Sequence, residues 1–298
     1  MEIAATALIF QQGTNRGGLE MKVKCPPSGV YYDIPAMEYH AWDAISSTLL
    51  KNYAALPSTA MEPYIPSDDV NIGSAIHAYC LQGIVGLYKE CVIGTHVGTS
   101  KAAVEAKAVL VAQNPFKTVL PATYGSPAPG LPIMEVLNGV GNSFKAHPKI
   151  CGVLAGSQKE VSLVWIDTQS GCECKARLDV LDGNIIWDLK KTRDIDRFQW
   201  QMKDLEYYVQ AGHYFNGATA CGLNPVAFGF IPCEAVPPFR ATCGYCDPDK
   251  LEAARVNAVR LVGLVNQSKA TGNWPNYKIP DSIYNLDEIQ PDDLVQLY

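Results

Sequence analysis

Between residues 161 and 190 the chain alternates apolar and polar positions with the period of two that belongs to β-strands. Residues 161–166, 172–181 and 185–190 read as three consecutive strands, separated by a turn at 168–171 and by the pair Gly183-Asn184. Gly-Asn suits the two-residue turn of a tight hairpin, where positive φ is needed. On either side of this meander the apolar spacing lengthens to that of helices. Residues 45–53, 69–82, Lys101–Gln113 and 134–146 are predicted helices, with Ser46 or Ser47 and Asp68 or Asp69 available as N-caps. His147-Pro148 ends the fourth of them. Residues 121–132 carry four prolines and two glycines and read as a loop bordering a cleft. Beyond the meander come a long helix over 197–221, strands over 226–232 and 239–245, and a last helix from Pro248 to about Ser268. Helices, a strand meander, then a helix and further strands predict an α/β or mixed α+β domain built on a mixed sheet.

Composition narrows the setting. The 298 residues are 48% hydrophobic and 18% charged, as in a folded globular protein. No apolar run approaches the roughly 18 residues that cross a bilayer, and residues 1–10 lack the basic start and cleavage site of a signal peptide. Ten cysteines without a secretion signal read as mostly reduced thiols of an intracellular, cytoplasmic protein. The net charge of −6 argues against a protein that coats nucleic acid. It leaves a DNA enzyme open, because phosphate binding needs only a local basic surface and metal-holding carboxylates lower the sum.

The hairpin carries the candidate chemistry. With Gly183-Asn184 as its turn, Asp179 lies across from Asp188 and Arg177 across from Lys190. A turn one residue earlier leaves Asp179 diagonal to Asp188 on the same face. Opposed residues have Cβ atoms roughly 4.5–5.5 Å apart, where like charges are destabilising. Two such carboxylates among Leu178, Val180, Leu181, Ile185, Ile186, Trp187 and Leu189 ask for a divalent cation between them. The competing reading is a solvated strand face that Arg177 and Lys190 neutralise. Oxygen ligands with open positions suit Mg²⁺, with Mn²⁺ able to substitute. Lys190 shares the face of Asp188 and could orient or help deprotonate a water.

Glu160 starts the preceding strand and could reach the same cation; beside Lys159 it also reads as a surface acid. Gln210 and Tyr214 share one helix face at i, i+4, and so do Gly73 and His77. Tyr207 and Tyr208 read as packing, and His77 by itself fits a hydrogen-bonded structural histidine. A glycine inside a helix costs about 1 kcal/mol against alanine, so Gly73 hints at close approach by a neighbouring backbone or ligand. Lys191, Arg193, Arg197 and Lys203 follow the third strand as phosphate contacts or as a solvated helix entrance.

Gly73-Ser-Ala-Ile-His77, Glu160, Asp179, Asp188-Leu-Lys190 and Gln210-Ala-Gly-His-Tyr214 resemble, in order and spacing, the motifs of RecB-type PD-(D/E)xK nucleases. More closely, the chain is similar to the exonuclease VIII (RecE) nuclease family of bacteria and their phages. Val30-Tyr-Tyr-Asp-Ile-Pro-Ala-Met-Glu-Tyr-His40 with Ile45-Ser-Ser-Thr-Leu49 resembles that family's opening. Glu160-Val-Ser162 through Asp188-Leu-Lys-Lys-Thr192 resembles its core, and Gly272-Asn-Trp-Pro-Asn-Tyr277 its end. The resemblance implies a restriction-endonuclease-like core with a central mixed sheet flanked by helices. It covers residues 29–277 as an exonuclease domain; the leader at 1–28, whose composition reads as a mobile loop, and the irregular acidic tail at 278–298 lie outside it.

For the site, the resemblance implies that Asp179 and Asp188 bind metal, with Glu160 and the backbone carbonyl of Leu189 completing the shell. It makes His77 a further metal or phosphate ligand and Lys190 the group that positions the attacking water. Gln210 and Tyr214 would brace the site or touch DNA. Asp-x-Lys stands where Glu-x-Lys is the commoner form. The implied activity is Mg²⁺-dependent 5′→3′ digestion of linear double-stranded DNA ends, leaving a 3′ strand for a RecT-like single-strand annealing partner. A ring-like homo-oligomer, a tetramer, without membrane association, is implied as well.

Three alternatives have their own signatures. An iron–sulfur cluster could use Cys233, Cys243 and Cys246 with Cys25 or Cys80, although Cys243 and Cys246 fall on opposite sides of a strand. Cys172-x-Cys174 lacks the second pair that structural zinc requires. An endonuclease of the same fold would need no free 5′ end, and a catalytically inactive DNA-binding module would keep the fold without cutting.

Overall fold

The structure, a computed structural model, describes residues 22–62, 67–98, 100–125, 130–278 and 294–296. Within them the chain forms one main mixed sheet with helices on both faces. It opens with β1 (Gly29–Tyr31), α1 (Ala36–Ala41), β2 (Ile45–Ser46) and α2 (Ser47–Ala55). Residues 45 and 46, expected as helix, instead form a strand, because they pair in parallel with Cys174 and Lys175. Ser46 then caps α2 by accepting from the Leu49 N–H at 3.3 Å. The long helix α3 (Asp68–Glu90) is capped by Ser67, one residue before the expected aspartates. It is interrupted at Gly83, whose φ of 71° a β-carbon would disfavour.

Smaller elements follow: β3 (Cys91–Ile93), α4 (Lys101–Gln113), β4 (Thr118–Leu120), β5 (Thr123–Tyr124), β6 (Leu131–Pro132), α5 (Ile133–Ala146) and α6 (Pro148–Gly156). The last was not expected as a helix; Pro148 sits in its first turn, where its missing N–H costs nothing, and His147 Nδ1 accepts from the Ile150 N–H. The meander is β7 (Gln158–Ile166), β8 (Glu173–Asp182) and β9 (Ile185–Thr192). The single helix expected over 197–221 is two, α7 (Phe198–Asp204) and α8 (Tyr207–Ala220), separated at Glu206 by a left-handed residue with φ 53°. That break lets the rings of Phe198 and Tyr207 meet at 6.1 Å in one core. β10 (Ala227–Glu234), β11 (Gly244–Cys246), α9 (Pro248–Thr271) and β12 (Leu294–Gln296) complete the chain.

The main sheet runs β1-β7-β8-β9-β10-β11-β12, with β2 beside β8. β9 is parallel to β10 over all eight residues, and the other neighbours on the main path are antiparallel. One face carries a core made with α2, α8 and α9, in which Leu50, Leu178, Ile186, Phe228 and Phe230 are buried. The opposite face packs Val180, Trp187, Leu189 and Ile231 under α3 and α5. Gly212 allows α8 to lie against α9: a β-carbon there would sit 2.3 Å from the Ala254 carbonyl oxygen.

By length and composition alone α3 could cross a bilayer, although it holds no unbroken apolar run. Here its Ile72, Ile76 and Leu81 pack into the second core. The leader is not loose at its described end, since Val23 bridges Trp42 and Cys25 is buried; residues 1–21 lie outside the described residues. Of the tail, 279–293 lie outside them too, and Leu294–Gln296 form a sheet strand rather than irregular chain.

Candidate active site

The hairpin has the expected register, with Val180 facing Trp187, Leu181 facing Ile186 and Asp182 facing Ile185. The ladder then stops, one residue short of the two aspartates. β8 leaves β9 there and further along takes β2 as its neighbour. Alternation also slips: Leu178 and Leu181, three residues apart, both enter the α8-side core, while Val180 enters the other. On the far side of Asp179, the facing residue Glu160 has a left-handed φ of 57°. Asp179 therefore lies in an opening between strands instead of on a regular face. Its Oδ2 accepts from the Leu189 N–H at 2.8 Å, in place of a ladder bond. Arg177, expected across from Lys190, instead pairs with Ser162 of β7.

Two groups of side chains meet at this opening. From α3, His77 brings Nδ1 to 3.4 Å from Asp179 Oδ2. His77, Glu160 and Asp179 each offer a ligand atom, all within 4.8 Å of one another. Arg177 pairs with Glu160 and donates to the Ile34 carbonyl at 2.8 Å, tying Glu160 to the segment before α1. The second group surrounds Asp188, which is 1% exposed. Lys190 pairs with its Oδ2, and Gln210 Nε2 donates to its Oδ1 at 2.6 Å. Lys51 of α2 donates to Gln210 Oε1 at 3.0 Å. Lys190 and Lys51 lie 5.0 and 5.3 Å from the Tyr207 ring centre.

Electrostatics separate the two aspartates. Burial opposes ionisation of Asp179, but His77, Lys190 and the Leu189 N–H together hold its carboxyl below the usual carboxylate value. For Asp188 burial prevails over Lys190, with Asp179 adding repulsion, and its pKa rises to about 6. Burial likewise raises Glu160 despite Arg177. Burial would depress His77, yet the facing Asp179 lifts it to about 8. Lys190 is held above its usual value because Asp188 and Asp179 outweigh its burial. Lys51 falls to about 8, through burial first and Lys190 second.

The donors fit a divalent cation. Two carboxylates and an imidazole converge within ligand reach. Oxygen donors suit Mg²⁺ or Mn²⁺, and the imidazole adds affinity for Mn²⁺. Of the residues named from sequence, His77, Glu160 and Asp179 form the close donor group, and Asp188, Lys190 and Gln210 the adjoining one. Leu189 contributes its N–H to Asp179. Tyr214 lies near enough to Asp188 and Asp179 to feel their charge, and its hydroxyl accepts from Ser47 of α2 at 3.5 Å.

Gly73 gives no support to a close backbone approach among the described residues, since a β-carbon there would meet none of them within 4 Å. Among the proposed phosphate contacts, Lys191 is paired with Asp69 at 2.8 Å, while Arg193 and Arg197 are exposed. Sequence reasoning missed Lys51 and read Tyr207 only as packing. A lysine among Leu49, Leu50 and Tyr53 on a short helix was the available signal. The cysteine alternative loses its geometry: Cys233 and Cys243 enter the α3-side core and Cys246 the α8-side core.

The described fold aligns with a crystal structure described as a "Putative exonuclease" from Eubacterium rectale, at a TM-score of 0.53 and 13% identity. The alignment covers 78% of this chain and 84% of that one. At this identity the likeness concerns the fold. No curated protein matches the chain by sequence. A family profile, the PDDEXK-like domain of unknown function (DUF3799), matches residues 51–278 and so takes in both groups of the site. The chain belongs to this PDDEXK-like family and thereby to the PD-(D/E)xK nuclease superfamily.

Proposed function

We propose that this protein is a divalent-metal-dependent nuclease that digests linear double-stranded DNA from its 5′ ends. The observation that carries the reading is the meeting of His77, Glu160 and Asp179 with the Asp188-x-Lys190 pair at one opening in the sheet. Family membership supports a nuclease, and the resemblance to the exonuclease VIII family supports the exonuclease form and its polarity. His77, Glu160 and Asp179 would hold the cation, with Asp188 joining them by exchanging part of its contact with Lys190. Mg²⁺ is the expected ion, and Mn²⁺ substitutes for it.

A bound cation supplies positive charge at the scissile phosphate and makes a water more acidic. The remaining work falls to the chain. Lys190, whose pKa its two aspartates hold above the usual lysine value, would donate to the attacking water or to a phosphate oxygen. Asp188, whose pKa burial raises to about 6, would accept the proton. Gln210 keeps that carboxylate from turning away. Exposed Arg193 and Arg197 would meet the DNA backbone. A single-strand annealing partner, a ring-like tetramer, the limits of the nuclease domain at 29–277 and a cytoplasmic setting in a bacterium or phage-infected bacterium belong to the same proposal.

The test is linear duplex DNA labelled at one 5′ end, with Mg²⁺ or EDTA, beside a closed circle. Metal-dependent loss of the linear duplex, early release of label and an intact circle are expected. Cutting of the circle would make the protein an endonuclease, and no cutting with any divalent metal would leave a binding module.

A further inference from the structure

We propose that Lys51 is a positioning residue of this site, acting through the Gln210 amide on the Asp188 carboxylate. The inference rests on the nuclease reading for its catalytic consequence, but the link among the three side chains stands on geometry alone. Helix α2 begins where β2 ends beside β8, and it packs against α8. This path places Lys51 within 3.0 Å of Gln210 Oε1, while the other end of the same amide lies 2.6 Å from Asp188 Oδ1.

A glutamine amide is an acceptor at one end and a donor at the other. An ammonium at Oε1 and a carboxylate at Nε2 therefore permit a single orientation. Turning the amide over would replace two charge-assisted hydrogen bonds with two repulsive contacts. The ammonium also polarises the amide, which strengthens the bond that Nε2 makes to Asp188. Without Lys51, Gln210 gains freedom to turn, and the carboxylate loses a fixed partner on the side opposite Lys190. Tyr207 holds both ammonium groups near its ring, giving two like charges a shared neighbour. Burial, and then Lys190, lower the Lys51 pKa to about 8, so the ammonium that this link needs is the main form only below that pH.

The alternative is that Lys51 binds a DNA phosphate directly, and the two roles separate in a double-mutant cycle. The variants are Lys51→Met, Lys51→Arg, Gln210→Ala and the Lys51→Met/Gln210→Ala pair, each checked for wild-type thermal unfolding. Lys51→Met is expected to lower kcat about 30-fold with KM within about 2-fold, and Lys51→Arg to restore most of the loss. The pair should cut no more slowly than Gln210→Ala alone, within about 2-fold. Additive losses with a raised KM would overturn the proposal in favour of a phosphate contact.

A second readout does not depend on cleavage. In metal-free protein labelled with ¹⁵N-glutamine, the two Gln210 side-chain amide protons should be well separated and slow to exchange in wild type. In Lys51→Met they should draw together and exchange faster. Unchanged Gln210 signals in that variant would refute the link. Absence of cleavage by the wild type under every divalent metal would instead refute the nuclease reading, leaving the amide signals to decide about Lys51.

Discussion

Asp179 and Asp188 stand at matching places on neighbouring strands, yet the fold gives them opposite surroundings. Asp179 faces an imidazole from α3 and a backbone N–H, and it is held ionised below its usual value. Asp188 faces a lysine on its own strand and an amide from α8, and burial lifts it to about 6. One carboxylate thus keeps its charge, as the proposed cation ligand requires. The other has a raised pKa, which suits the proton transfer proposed for it. Two copies of one residue type acquire different chemistry because α3 serves one side of the opening, and α2 with α8 serves the other.

The strongest test of this contrast removes its second half. Asp188→Ala and Lys190→Ala should each lower cleavage roughly a thousandfold or more while leaving a folded protein, measured by single-turnover digestion and circular dichroism. Near-normal activity in either variant would take the hairpin out of the active site. Removing the first half acts on the ion. His77→Ala should weaken Mn²⁺ binding about 10-fold or more, or roughly 1.4 kcal/mol, by calorimetry, and should reduce cleavage with it. Unchanged affinity and rate would make His77 a structural partner of Asp179.

A gentler probe is pH. In metal-free protein the folded-state pKa of His77, about 8, lies above its ordinary 6.5. Its protonated form therefore adds stability below pH 6.5, on the order of 2 kcal/mol, which is lost as pH rises through 8. Asp188 is also raised, from 3.8 to about 6, so it too lowers stability as pH climbs between those values. Metal binding requires neutral His77 and ionised carboxylates, so saturating Mn²⁺ should abolish the fall above pH 6.5 and leave stability rising with pH below it. Denaturant unfolding at pH 6 and 8.5, with EDTA or Mn²⁺, measures both slopes; equal slopes would place His77 outside the cation site. The smallest effect belongs to Gly73→Ala. A methyl group there meets open space, so stability should rise by up to about 1 kcal/mol. If cleavage falls while stability rises, DNA rather than protein fills that space.

Much of this arrangement was legible in the sequence. The turn at Gly183-Asn184 fixed the hairpin register, and the alternation before and after it placed three strands correctly. The motif spacing brought His77, Glu160, Asp188, Lys190 and Gln210 to one place from four separate elements. What remained hidden depends on contacts distant in sequence. Ile45 and Ser46 look like the first turn of a helix until Cys174 and Lys175 offer a strand to pair with. Nothing local to Asp179 announces that the ladder ends beside it. Lys51 lies 159 residues from the amide it touches, and its place among Leu49, Leu50 and Tyr53 gives no hint of that partner. Tyr214 kept its predicted helix face, and its hydroxyl there meets Ser47 of α2, 167 residues away in sequence.

The bond between the Leu189 amide and Asp179 makes one backbone proton a reporter on the state of the site. Amides of β9 that point toward β10 are locked in a parallel ladder and exchange with deuterium only when that pair of strands opens. The Leu189 proton is held by a side chain, so its release follows whatever engages the carboxylate: a proton, a cation or a turning histidine. Deuterium uptake at that single position would follow events at Asp179 without substrate, label or mutation.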